Sequence, residues 1–529
     1  MEGKGWGLVV LLFLSLLLGH GNSGVVRCRG NEKEALLTFK RGLHDPSNRL
    51  ASWVGEDCCS GWVGVGCHNL TRQVLSLHLP TRQLSGNISN SLAELQQLQS
   101  LDLAGNDFGG APIPDFLGSL SVLRYLDLSY AGLGSAIPPQ LGNLSNLRYL
   151  DLSWNEQLNL GRGLDWISGL SSLKLLHLAY LNLSSAPNWL QVVNQLPFLS
   201  NLSLYQCSLP PPSHVSSQIN DSALLYLDLS DNHLEASPPL FHWFSTLSSL
   251  HRLSLSGNSF AGPIPICLKN LTSLTSLNLA RNNYPAIPEW LYNLPNLETL
   301  NLFDNKLHGP ISSAISNLSS LRKLDLSSNS LTGEIPISIA NLSNLQSLYI
   351  DHNSFTGIIS GSHFANLQSL QSFTAAGNRD LNLRFNSTWI PPFQLTEINM
   401  SFTSFGPEFP TWLKSQKGLE YISLSNTRIS HPMPTWISCF PNLLTLDLSH
   451  NYIPGDVPNS LSAYHIILNS NNLSGSLPHI TSTVRSLDLS NNSINGSLFP
   501  FLCQMTTTQA FPFWIYQEII YQMCFRTVG

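Results

Sequence analysis

Tyr130, Trp154 and Tyr180 hold the same place in three successive copies of one sequence pattern, with Tyr125, Tyr149, Tyr205 and Tyr226 close by in the chain. Aromatic side chains join a large contact area to a polar tip, so a column of them on a polar face is suited to gripping a peptide or a glycan. The competing reading is mutual packing between neighbouring coils. A second recurring type is aspartate: Asp102, Asp127, Asp151, Asp228, Asp325, Asp447 and Asp488 each stand between two apolar anchors. Acid–base hydrolysis needs two carboxylates converging on one bond. One carboxylate per unit at a fixed place makes a ladder instead, which points to structural solvation. His177, His233, His308, His352 and His450 lack paired metal-ligand spacing. The sequence contains no nucleophile elbow, phosphate-binding glycine loop or kinase signature. The reading is therefore of a protein that is not an enzyme, with no catalytic residue, metal or cofactor, whose chemistry is binding.

The elements that must position these residues are written in the pattern L-x-x-L-x-L-x-x-N-x-L-x-G-x-I-P, which recurs about every 24 residues from Leu77 to Leu498. Its paired anchors run from Leu77/Leu79 through Leu126/Leu128, Leu150/Leu152 and Leu176/Leu178 to Leu487/Leu489. Alternation of these anchors with polar residues is the period of a short strand with one buried face, and stacked copies form a parallel sheet. Three positions after the second anchor stands an asparagine, as at Asn106, Asn155, Asn232 and Asn451, with Cys207 and Thr427 as substitutes. An amide both donates and accepts, so it can satisfy the backbone groups freed where a coil turns inward. In L-T-G-E-I-P, Leu331 to Pro336, the glycine allows a positive-φ turn and the proline closes a short edge strand. The expected fold is an α/β repeat solenoid: a leucine-rich-repeat horseshoe or superhelix with the parallel β-sheet on its concave face, where the aromatic column would lie. Repeats touch only their neighbours, so 529 residues can form one elongated domain.

Charged residues make up 11% and the net charge is −6, with no basic stripe, which argues against nucleic acid as a partner. Lys4, the apolar run Leu8 to Leu18 and the small residues near Gly19 to Gly24 read as a secretory signal peptide over 1–23. Asn-x-Ser/Thr sequons at Asn69, Asn87, Asn143, Asn182, Asn201, Asn270, Asn317, Asn341, Asn386 and Asn472 fit that route as N-glycosylation candidates. Cys28, Cys58, Cys59 and Cys67 all precede the first repeat, and four cysteines allow three pairings. Between the first two, Asn31 can cap a helix with Glu34 at its third position, and Ala35, Leu36, Phe39 and Leu43 share a face able to cover the end of the solenoid.

The segment W-V-G-E-D-C-C-S-G-W-V-G-V-G-C from Trp53, R-F-N-S-T-W-I-P-P-F-Q-L-T-E-I-N-M from Arg384 and G-P-E-F-P-T-W-L-K-S-Q-K-G-L-E-Y-I-S-L from Gly406 resemble plant leucine-rich-repeat receptor-like proteins. The likeness is to the group containing the tomato receptor for fungal ethylene-inducing xylanase. It implies disulfides Cys28–Cys58 and Cys59–Cys67 within an N-terminal cap over 28–70, followed by about eighteen repeats over 74–503. It also implies an extracellular ectodomain that perceives a microbial protein, peptide or glycan in plant defence and signals through partner receptor-like kinases. An alternative is a secreted inhibitor of a microbial wall-degrading enzyme, although such inhibitors have fewer repeats. Family members are single-pass plasma-membrane proteins. Here 504–529 departs from the pattern and shows neither span nor cap, so the expectation is a truncated product or a short natural form, extracellular as written.

Overall fold

The computed structural model describes residues 28–56, 58–59, 61–161, 163–212, 223–458, 461–478 and 483–495. The expected signal peptide and divergent tail lie outside them. The repeats fall into two compact units, one ending at Ser249 and one beginning at Leu250.

In the first unit a parallel sheet is built from Val74–His78, Ser100–Asp102, Tyr125–Asp127, Tyr149–Asp151, Leu175–His177, Asn201–Ser203 and Tyr226–Asp228. Its register aligns Leu77, Leu101, Leu126, Leu150, Leu176, Leu202 and Leu227 across neighbouring strands. These leucines are fully buried, each adding about 1.5–3 kcal/mol of apolar burial. The residues on either side face solvent, since successive strand side chains point to opposite faces. The second unit repeats this plan from Arg252–Ser254 to Ser486–Asp488, with Leu253, Leu277, Leu300, Leu324, Leu348, Phe373, Ile398, Ile422, Leu446, Ile466 and Leu487 in register.

The asparagine row closes each coil. Asn155, 1% exposed, donates to the carbonyls of Leu128 at 2.8 Å and Leu152 at 2.9 Å and accepts from the amides of Ala131 at 3.2 Å and Leu133 at 2.9 Å. At Cys207 and Thr427 a thiol and a hydroxyl supply the donor instead, to Leu178 at 3.1 Å and Leu424 at 2.8 Å. Past this row the Gly-x-Ile-Pro segments form further short parallel strands. In the second unit they include His308–Gly309, Ser330–Glu334, Ser354–Ile359 and Leu381–Leu383, and farther on the pair Pro454–Asp456 and Asn472–Ser474.

Most segments returning to the sheet are single 3-10 turns such as Pro139–Asn143 and Ile337–Asn341, so the helical half of the expected α/β repeat is shorter than that label suggests. Five residues following a proline cannot complete the turns an α-helix needs to be stable. Trp189–Asn194 and Pro238–Phe244 are α-helical, and both drive tryptophans into the core at Trp189 and Trp243.

Both disulfides are formed as the resemblance implies, Cys28 with Cys58 and Cys59 with Cys67. The cap helix α1, Gly30–Arg41, buries Ala35, Leu36 and Phe39. Asn31 and Glu34 do not make the expected capping box: Arg29 is the N-cap residue and no side chain caps the helix. Glu32 is the acidic residue that acts here. Its buried carboxylate accepts the Val74 amide at 3.0 Å, tying α1 to the first repeat strand.

Candidate ligand-binding surface

Two positions after the second anchor, every repeat strand leaves the sheet through a residue with positive φ. In the first unit this slot is Thr81, Gly105, Tyr130, Trp154, Tyr180, Gln206 and Asp231. Asparagine, aspartate and glycine tolerate the left-handed region, whereas bulky residues there are strained. Tyr130, Trp154 and Tyr180 nevertheless adopt φ of 51°, 61° and 65°. The backbone is held by the next coil: the amides of Tyr130, Trp154 and Tyr180 donate to the carbonyls of Ser153, Ala179 and Tyr205 at 2.8–2.9 Å.

Set one strand spacing apart, the rings stack. Centroids are 4.8 Å apart for Tyr130–Trp154 and 3.5 Å for Trp154–Tyr180, and Tyr205 meets Tyr180 edge-on at 5.3 Å. Tyr130 is 53% exposed, and Trp154, Tyr180 and Tyr205 are half-buried. The Tyr205 phenol is pushed above its ordinary pKa first by its hydrogen bond with Tyr180, then by burial.

Tyr125 and Tyr149, expected beside this column, form a separate stack with centroids 4.2 Å apart. Their hydroxyls both donate to Asp127 Oδ2, at 3.2 and 3.3 Å, so the polar tips are already committed. Burial, and after it the Asp127 charge, pushes both phenols well above their ordinary range. Burial likewise raises the Asp127 carboxyl, partly offset by the Ser129 hydroxyl. This second stack thus braces neighbouring strands through Asp127.

The aspartate ladder has a local role that its spacing did not reveal. Oδ1 of Asp102, Asp127, Asp151, Asp228, Asp325, Asp447 and Asp488 accepts the amide two residues on, at 2.9–3.1 Å, fixing the strand end ahead of the positive-φ slot. Asp151 and Asp228 do more. With His177, Ser203, Trp154 and Tyr205 they line a depression of about 270 Å³ between the strand row and the ring ladder. His177 Nδ1 lies 3.2 Å from Asp151 Oδ2. Neither carboxylate, nor His177, stood out in the sequence as part of a site. The available signal was parity, since each lies between two buried anchors and so points to the solvent side of the same sheet.

Of the glycosylation candidates, Asn69, Asn87, Asn143, Asn182, Asn270, Asn317, Asn341, Asn386 and Asn472 are exposed. Asn201 is half-buried inside the strand Asn201–Ser203, paired with Leu175 and Tyr226. Among the described residues no helix is long and apolar enough to cross a membrane.

The leucine rich repeat N-terminal domain family matches residues 29–68, the leucine-rich repeat region family residues 222–456, and the Leucine Rich Repeat family residues 97–120 and 483–505. Receptor-like protein EIX1 of Solanum lycopersicum is 32% identical over 292 residues, 51% of this chain and 28% of that protein. Receptor-like protein EIX2 of the same species is 33% identical, over 48% of this chain and 26% of its own length. The chain thus spans about a quarter of the length of these relatives. Among solved structures, PEPR1–AtPEP1 superposes with a TM-score of 0.63 at 26% identity, covering 88% of this chain and 69% of its own. The Arabidopsis receptor kinase HAESA, in complex with the peptide hormone IDA and the co-receptor SERK1, gives 0.54 at 26% identity, over 88% and 90%.

Proposed function

Starting from a chain that is a leucine-rich-repeat protein resembling the plant receptor-like proteins, we propose that it recognises an extracellular ligand on the solvent side of its first unit's sheet. The observation that carries this reading is the ladder Tyr130, Trp154, Tyr180 and Tyr205, held partly exposed at the cost of positive φ at three positions. Strained, partly exposed aromatic residues concentrate binding energy and recur at ligand-gripping sites. The EIX likeness supports a microbial protein or peptide elicitor as the ligand. The HAESA complex, with its peptide hormone and co-receptor, supports a peptide segment as the element read and a membrane kinase as the signalling partner. The mechanism is binding: the ligand lies across the strands, the rings supply apolar contact, and the carboxylates beside them set orientation.

Surface plasmon resonance with the purified chain tests the reading, using a purified fungal xylanase and a panel of secreted microbial proteins and peptides. Trp154→Ala and Tyr180→Ala should each weaken the bound ligand about tenfold or more while leaving the melting profile folded. Ligand affinities indifferent to both substitutions would remove the ladder from the binding surface.

A further inference from the structure

We propose that the depression between the ring ladder and the strand aspartates receives two basic side chains, four residues apart, of an extended peptide. This rests on the proposed ligand surface and specifies its occupant. Asp151 and Asp228 both line the depression. They belong to strands Tyr149–Asp151 and Tyr226–Asp228, with Leu175–His177 and Asn201–Ser203 between them. Three strand spacings of about 4.8 Å place them about 14 Å apart. An extended peptide advances about 3.3 Å per residue and alternates faces, so residues i and i+4 present side chains to one face about 13 Å apart.

Each carboxylate keeps acceptor capacity. Oδ1 of Asp151 takes the Ser153 amide and Oδ1 of Asp228 the Ser230 amide, both at 2.9 Å. Oδ2 faces His177 Nδ1 at 3.2 Å in one case and accepts the Tyr226 hydroxyl at 3.3 Å in the other. Since a carboxylate offers about four lone-pair sites, each can take a further donor. No lysine or arginine lines the depression. The basic residues of this sheet, Arg124, Arg148 and Lys174, precede their strands and so stand at the opposite end from the ladder, exposed. Part of the lining is aromatic, from Tyr130, Trp154 and Tyr205. A guanidinium packs its apolar plane against aromatic rings while forking its N–H groups to a carboxylate, which a compact ammonium does less well, so arginine is the preferred basic residue. Between the two, the side chain at i+2 would lie over Ser203 and His177.

The test uses the full chain and three blocked pentapeptides, followed by calorimetry at low and moderate salt. One is acetyl-Arg-Ser-Gly-Ser-Arg-amide, one its double citrulline twin of equal shape and no charge, and one carries the two arginines adjacent. The spaced arginine peptide should bind about tenfold tighter than the citrulline twin and several-fold tighter than the adjacent pair, with the advantage shrinking as salt rises. Asp228→Asn should remove most of that advantage, because the asparagine still accepts the Ser230 amide and keeps the turn. Equal binding of arginine and citrulline peptides, absence of binding by the spaced arginine peptide, or an unaffected Asp228→Asn variant would overturn the proposal. If a protein ligand is weakened by Trp154→Ala but not by Asp228→Asn, the surface reads its ligand without a cation: the inference fails and the broader reading stands.

Discussion

Replacing Trp154 by asparagine separates the ladder's cost to the fold from its use. The indole makes two stacking contacts, with centroids 4.8 and 3.5 Å from Tyr130 and Tyr180, and each such pair is worth about 0.5–1.5 kcal/mol beyond area burial. Losing both removes about 1–3 kcal/mol. Trp154 also sits at φ 61°, where asparagine relieves about 1 kcal/mol of backbone strain. Stacking and strain together leave about 0–2 kcal/mol of destabilisation, and the lost apolar burial of the half-buried indole adds about 1–2 kcal/mol, so the unit should remain folded. Binding has no such offset, and losing a central aromatic anchor costs about 2 kcal/mol or more, roughly a thirtyfold drop in affinity. Urea denaturation followed by circular dichroism, beside a binding isotherm for a protein or peptide ligand of the wild-type chain, gives both numbers. A stability loss above about 4 kcal/mol, or affinity unchanged within a factor of about two, would show that the rings brace the coil and do not grip a ligand.

Asn155→Ala should be far costlier to the fold, about 3–6 kcal/mol, because it orphans two carbonyls and two amides inside a coil; accelerated hydrogen exchange at Ala131 and Leu133 would report it, and unchanged exchange would refute it. Burial raises the carboxyl pKa of Glu32, Asp127 and Asp351. The folded state therefore holds protons the unfolded chain releases, so this contribution to stability is fully present below the ordinary carboxylate pKa and is lost as pH rises through the raised values. Thermal melts should shift upward as pH falls from neutrality toward the carboxylate range, and a flat or opposite trend in that interval would contradict the assignment. Glycopeptide mass spectrometry after secretion from a plant host should find Asn143 and Asn341 modified and Asn201 bare, since Asn201 is half-buried within a paired strand.

The leucine anchors made the sheet legible because their period is strict and each is wholly buried, and the asparagine row followed from donor and acceptor counting. The cap cysteines were readable only through likeness, since spacing leaves three pairings open and the structure is what joins Cys28 to Cys58. Helix capping misled: Asn31 and Glu34 fit a local rule, but Glu32 reaches the Val74 amide 42 residues away, and no local pattern registers such a partner. At the candidate surface the aromatic residues were visible as types, yet the division of Tyr130, Trp154 and Tyr180 from Tyr125 and Tyr149 into two stacks was not. Tyr125 and Tyr149 belong with Asp127 because strand register brings their hydroxyls to one oxygen, which requires the sheet to be in place.

Whether the ladder is packing or function turns on what fills the same slot elsewhere. In the second unit the positive-φ position is Gly257, Arg281, Asp304, Ser328, His352, Gly377, Phe402, Asn426, His450, Ser470 and Asn491. There the anchors stay buried and the strands stay paired without consecutive aromatic residues at this place. The coil therefore closes with small or polar residues, most of which tolerate φ above zero better than tryptophan or tyrosine do. Stacking offsets much of the strain the three rings carry, yet the second unit closes its coils at this place without such a row. The ladder Tyr130, Trp154 and Tyr180, extended by Tyr205 and bordered by Asp151 and Asp228, is thus a local feature of the first unit, and the proposed binding role rests on it. Grafting supplies the converse test: Ser328→Tyr with His352→Trp in the second unit should fold with a stability change of about 2 kcal/mol or less and stack as the native pair does, yet gain no affinity for the arginine peptide, because three strands on from Asp325 stands Asn399 and not a second carboxylate.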